Sequence, residues 1–137
     1  MSNKLFKQGL VHVYTGNGKG KTTAAIGLAI RAIGHGAKVH IVFFMKGNFP
    51  YGEREVISKL PNISFQVFGH EHLIDPGNIK EDEKTQALEA LKASQMASGS
   101  GNYDLVILDE INVASAWKLI DVNDVIELIK SKHPEVE

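Results

Sequence analysis

The sequence predicts an α/β fold of three layers, with a doubly wound and mainly parallel sheet, and three observations support it. Short apolar runs alternate along the chain with segments whose apolar residues recur at helical spacing. A glycine-rich turn, Thr15 to Gly20, separates the first apolar run from the first helical segment. Further on, the apolar run from Tyr103 to Leu108 delivers two carboxylates, Asp109 and Glu110, at its C-terminal end. In a parallel sheet the C-terminal strand ends lie together and face the ligand crevice.

Each element follows from local pattern. Gly9-Leu10-Val11-His12-Val13-Tyr14 reads as a strand rich in β-branched and aromatic residues. Ile26, Ala29, Ile30 and Ile33 then mark one face of a helix that stops at Gly34-His35-Gly36. Lys38 to Met45 is a second strand, apolar through its second half as a strand covered on both faces requires. After the turn Lys46 to Gly52, a short helix is expected from Glu53 to about Lys59, before Pro61. Ile63 to Phe68 alternates as a third strand, and Gly69 to Asn78 is a long polar loop. Ala, Glu, Lys, Gln and Leu dominate Lys80 to Ser98, a strong helix ended by Gly99-Ser100-Gly101. A strand over Tyr103 to Glu110 follows, and the last helix starts at the N-cap Asp121 and runs to Lys132. Trp117, between the two, is expected to pack rather than to react.

With 137 residues, 43% of them hydrophobic and 23% charged, and with no repeat or linker, the chain is expected to form one domain over residues 1–137. A net charge of −1 without a Lys/Arg cluster or basic arm excludes a nucleic-acid binder working by bulk electrostatics. The absence of cysteine excludes disulfides, thiolate metal sites and a catalytic thiol. No apolar run approaches the roughly 18 residues of a membrane span, and Met1 to Gln8 lacks the apolar core of a signal peptide. A cytoplasmic location and no membrane partner are therefore expected.

The turn after the first strand carries chemistry. Thr15-Gly16-Asn17-Gly18-Lys19-Gly20-Lys21-Thr22-Thr23 has the form of a phosphate-binding P-loop. Glycines let backbone N–H groups converge on an anion, Lys21 reaches the outer phosphates, and the helix that begins here adds its positive dipole end. Gly16, Asn17, Gly18, Lys19, Gly20, Lys21, Thr22 and Thr23 are the expected phosphate-binding residues. The pattern G-x-x-x-x-G-K-[ST] has glycine first, whereas this chain has Thr15 there. The carboxylates at the end of the fourth apolar run form a Walker B arrangement. A Mg²⁺ (or Mn²⁺) held beside phosphates takes one or two carboxylates and the loop hydroxyl, so Thr22 with Asp109 or Glu110 are the expected metal ligands. Alternatively, the pair simply supplies acidic residues to a helix N-terminus.

Taken together these segments resemble the ATP:corrinoid adenosyltransferases. The resemblance rests on Val13 to Ala25, including the threonine in place of the first glycine, on Arg31-Ala32-Ile33-Gly34-His35-Gly36, on Phe44-Met45-Lys46-Gly47 with Gly52-Glu53-Arg54, and on Tyr103 to Glu110. It implies transfer of the 5′-deoxyadenosyl group of ATP to the cobalt of a reduced corrinoid, with triphosphate leaving. Lys21 and Glu110 are the residues expected to act in that chemistry, and ATP, Mg²⁺ and a corrinoid are the implied ligands. A homodimer is implied as well. The family continues past a segment like His133 to Glu137 into another strand, so the expectation is either a truncated product or a sheet that lacks a strand beside the loop strand, with an exposed edge. Where members carry an aromatic pair after the third strand, this chain carries His70 and His72. Phe49, Tyr51, His70 and His72 are the candidates for the corrin side, the alternatives being ordinary packing for the aromatics and solvated loop residues for the histidines.

The motif pair alone supports γ-phosphoryl chemistry equally well. A small kinase or ATPase, with Arg54 as the loop-proximal clamp, is thus a rival reading. A nucleotide- or corrinoid-binding module without turnover is another.

Overall fold

The computed structural model describes residues 5–137. Three parallel strands, β1 (Val39–Phe43), β2 (Ile63–Val67) and β3 (Leu105–Asp109), form a sheet in the order β2-β1-β3. The helices are α1 (Lys21–Gly34), α2 (Gly52–Ile57), α3 (Glu81–Gly99), α4 (Ile111–Ala116) and α5 (Val122–Ser131). Strand β1 is central, and all five of its residues are buried, which is why its sequence shows no polar face. The register pairs Val39 with Ile63 and Leu105, and Phe43 with Val67 and Asp109. All three strands therefore end at one edge, where the turn that follows β1 meets Asp109.

Alternation along β1 feeds two cores. Val39, Ile41 and Phe43 pack with Ile26, Ala29, Ala32, Ile57 and Leu105 on the face covered by α1 and α2. Val42 packs on the other face with Phe44, Ala87, Ala90, Leu91, Ile111, Ala114 and Leu128, beneath α3, α4 and α5. Helices on both faces make the three layers of a P-loop NTPase-like α/β fold. Phe43 and Phe44 are fully enclosed, one on each face, and truncating either to alanine is worth about 3–5 kcal/mol. His40 shares the Val42 face. Its ring contacts Ser64 Oγ at 2.7 Å and Gln66 Oε1 at 2.9 Å and stacks on Tyr103. Burial lowers its pKa below the usual imidazole value, with the Gln66 bond opposing.

The local reading of the helices is met closely. Asp121 caps α5 by accepting the N–H of Asn123 at 2.8 Å, and Trp117 packs against the second core. The strand expected over Gly9 to Tyr14 is not formed. Leu10, Val11 and Val13 are about half exposed or more and join no ladder. A cleft of about 240 Å³ lies between this segment and β3, with Leu10, Val13 and Tyr14 on one wall and Leu105, Ile107 and Asp109 on the other. Alternating apolar residues define a strand's faces, but a ladder also needs a partner about 4.8 Å away, and here the cleft intervenes. On that side β3 is paired only at its start, where Glu137 N–H donates to Asp104 O (2.9 Å) and Val106 N–H to Glu137 O (2.8 Å). Beyond that start, the edge of β3 is open among the described residues.

Candidate active site

The loop closes where its glycines allow it. Gly16 and Gly20 have φ of 124° and 100°, left-handed values that strain residues bearing a Cβ. Gly20 is the N-cap of α1, and no side chain caps this helix. Its first turn also holds no acidic residue, whereas α2 has Glu53 and Glu55 there and α3 has Glu81, Asp82 and Glu83. A 14-residue helix thus presents its positive end without a built-in anion. Residues 12–20 are exposed, so the loop opens to a ligand. Lys21 folds across it, donating from Nζ to Gly16 O (2.8 Å) and Gly18 O (2.7 Å).

The structure unites Thr22 with Asp109 across 87 residues. Thr22 Oγ1 donates to Asp109 Oδ1 at 2.9 Å. Asp109 Oδ2 is ion-paired with Lys46 Nζ at 2.5 Å, and the same ammonium donates to Thr22 Oγ1 at 3.0 Å. Carboxylate and ammonium are 8% and 13% exposed, so the pair is largely withdrawn from solvent. Asp109 can be so enclosed because it is the last residue of β3, with its carbonyl accepting the Phe44 N–H at 3.0 Å. Glu110 adopts a left-handed φ of 69° as the N-cap of α4 and lines the cleft together with Asp109, Tyr14, Thr15, Gly16 and Lys21. Among the described residues no cluster of three or more His, Asp or Glu is arranged to hold a metal. A cation at Thr22 and Asp109 would therefore share its coordination with phosphate oxygens, as Mg²⁺ at nucleotide sites does.

The turns after β1 and β2 lie against each other at the same edge. Gly47 has φ of 52°, and a Cβ there would overlap the backbone of His70, so the turn carrying Lys46 and Phe49 touches the one carrying His70. Phe49 and Tyr51 lie with ring centroids 4.7 Å apart, and Phe49 is half exposed. His70 and His72 stack at 5.1 Å with 9° between their planes. Each reaches back to α3: His70 Nε2 to Asp82 Oδ2 at 3.0 Å and His72 Nε2 to Glu83 Oε1 at 3.1 Å. The Lys80 N–H, first, and then His72 hold the Glu83 carboxyl below the usual carboxylate range. The four residues expected on the corrin side thus line adjoining turns.

Comparison with known proteins decides the family. The sequence model of ATP:corrinoid adenosyltransferase BtuR/CobO/CobP matches residues 7–137. The chain belongs to this family. It is 35% identical over 126 residues to the corrinoid adenosyltransferase of Escherichia coli K12, covering 92% of this chain and 63% of that protein. The corrinoid adenosyltransferase of a Sinorhizobium species is 34% identical over 138 residues, covering 99% of this chain and 64% of the relative. An uncharacterized protein of Nostoc, all2391, is 34% identical over 142 residues and is covered for 38% of its length. The chain therefore spans just under two thirds of the corrinoid adenosyltransferases it matches. No helix among its described residues is long and apolar enough to cross a membrane.

Within this family member, one functional candidate, Lys46, escaped the sequence reading as a site residue. Lys46 sits one residue past the left-handed Met45, φ 64°, which turns the chain so that its ammonium returns to Asp109. Arg54 lies beneath it, donating to Gly47 O (2.5 Å) and Phe49 O (3.2 Å), with its guanidinium over the rings of Phe43 and Tyr51 at 4.7 and 4.9 Å. The only available signal was a cation directly after a buried strand, at the sheet edge where ligands bind.

Proposed function

We propose that this chain transfers the 5′-deoxyadenosyl group of ATP to the cobalt of a reduced corrinoid, releasing triphosphate. The observation that carries the reading is one sheet edge with two unlike halves. On one side are the P-loop and the Thr22–Asp109 pair; on the other are the Phe49–Tyr51 and His70–His72 turns. Family membership supports it. Cobalt in the +1 state supplies an electron pair to C5′ of the ribose, the Co–C bond forms, and the C5′–O bond breaks with its electrons leaving on triphosphate. Cobalt is thereby oxidised to the +3 level, and no proton needs to be removed. A serine or cysteine nucleophile or a general base is accordingly not required of the protein.

The protein's part is to hold the leaving group and to align the reactants. Gly16, Asn17, Gly18, Lys19 and Gly20 offer amides to the polyphosphate, Thr23 adds its hydroxyl at the loop's end, and Lys21 leaves its loop carbonyls for the phosphate oxygens. Thr22 and Asp109, with Glu110 alongside, would hold a Mg²⁺, which when bound would supply fixed positive charge beside the triphosphate. Phe49, Tyr51, His70 and His72 face the corrin. A cytoplasmic location and a homodimer belong to the same proposal, the latter open to sedimentation analysis. The kinase reading has less support, because Arg54 is engaged by the Gly47 and Phe49 carbonyls and two rings rather than aimed across the loop.

The test is to incubate the protein with ATP, Mg²⁺ and chemically reduced cobalamin and to follow the absorption of a light-sensitive cobalt–carbon product. Its appearance, abolished by illumination, is the expected result. ADP without that product indicates the kinase or ATPase reading, and binding without either product indicates a module without turnover.

A further inference from the structure

We propose that Lys46 is a resident counter-ion: its ammonium fills the space between the Thr22 hydroxyl and the Asp109 carboxylate, which a divalent cation takes only when nucleotide phosphates draw the ammonium away. The inference rests on the phosphate-site reading above and adds a gate to it. Three contacts define the position. Lys46 Nζ is 2.5 Å from Asp109 Oδ2 and 3.0 Å from Thr22 Oγ1, while Thr22 spends its own hydrogen on Asp109 Oδ1 at 2.9 Å. Every oxygen that would ligate a metal at this pair is thus already engaged with the ammonium or, through the hydroxyl, with its partner.

Charge makes the occupancy exclusive. One carboxylate and one ammonium neutralise each other, and a dication entering beside an ammonium at contact distance meets strong repulsion in a largely enclosed site. Metal alone has too little to offer. A nucleotide triphosphate changes the balance, because it brings several negative charges that attract the dication and the ammonium together. Lysine suits the role: its compact charge rides on a flexible stem, so it can move without the protein rearranging. The rings of Tyr51 and Phe43, 5.2 and 5.8 Å from Nζ, give the displaced ammonium an apolar and π-rich surface to ride on. Metal binding thereby becomes conditional on nucleotide, and Lys46 joins Lys21 as a second cation on the triphosphate.

The experiment is Mn²⁺ binding followed by electron paramagnetic resonance, with and without ATP, on the wild-type chain and on Lys46→Met, Lys46→Gln and Lys46→Arg, each below its unfolding temperature. Wild type and Lys46→Arg should take up Mn²⁺ well only with ATP. Lys46→Met and Lys46→Gln should bind Mn²⁺ alone at least about tenfold more tightly than wild type, and adding Asp109→Asn should remove that gain. Unchanged nucleotide-free affinity in both neutral variants overturns the inference, as does a Lys46→Arg variant that behaves like Lys46→Met, since bulk rather than charge would then decide. Failure of the wild-type chain to take up Mn²⁺ even with ATP overturns the underlying metal-site reading instead.

Discussion

Replacing Asp109 by asparagine keeps the shape of the side chain and removes its charge, which isolates the ion pair from the packing around it. The Lys46 ammonium, 13% exposed and 2.5 Å from the carboxylate, would be left with the Thr22 hydroxyl and two rings. Removing one member of a fully buried pair costs about 3–5 kcal/mol. Lysine on a flexible stem can turn its charge part-way to solvent, so about 2 kcal/mol is expected for Asp109→Asn. With an unfolding entropy of about 2.1 cal/mol/K per residue over 137 residues, the melting temperature should fall by about 7 °C. Lys46→Met should cost a similar amount, because it strands the carboxylate. The assay is a double-mutant cycle by urea unfolding near neutral pH. If the two groups owe their cost to each other, the double variant should be no less stable than either single one, with a coupling of about 2 kcal/mol. Single effects that add to within about 0.5 kcal/mol would refute the reasoning.

Three further outcomes follow from the same geometry. Lys21→Ala should leave the fold intact, since Nζ contacts only two loop carbonyls in an exposed turn, yet turnover with ATP should fall below detection; retained turnover would remove Lys21 from its role. His40 has a folded pKa below its unfolded value of 6.5, so its contribution to stability is complete above pH 6.5 and is lost as pH falls through the folded value. Urea midpoints compared at about pH 7 and about pH 5.5 should drop less for His40→Gln than for the parent, and equal drops would contradict the assignment; Glu83, whose pKa is lowered from 4.5, weakens the fold only at more acid pH. Replacing His70 by phenylalanine and His72 by tryptophan should change the KM for reduced corrinoid while leaving that for ATP in place. An unchanged corrinoid KM and kcat would take the pair out of the corrin side.

Much of the fold was legible because it depends on short-range physics. The central strand is apolar on both faces, the P-loop needs glycine where φ is positive, and Asp121 is a helix cap by residue type alone. The meeting of Thr22 with Asp109 was legible too, since the parallel sheet brings strand ends together. Gly9 to Tyr14 misled because alternation reports faces and not neighbours, and the chain beside it is a cleft. Lys46 was invisible as a site residue for a related reason. A cation at a turn reads as a solvated one, and only the left-handed Met45 and the β1–β3 register bring it to Asp109. Glu110 was expected beside Asp109, and both line the cleft, Glu110 from a left-handed backbone at the start of α4.

Phosphorus NMR of a reaction mixture containing ATP, Mg²⁺ and reduced cobalamin bears most directly on the proposed function. One free triphosphate for each adenosylated cobalt is the predicted result, with no ADP. ADP and inorganic phosphate in its place would contradict adenosyl transfer by this chain.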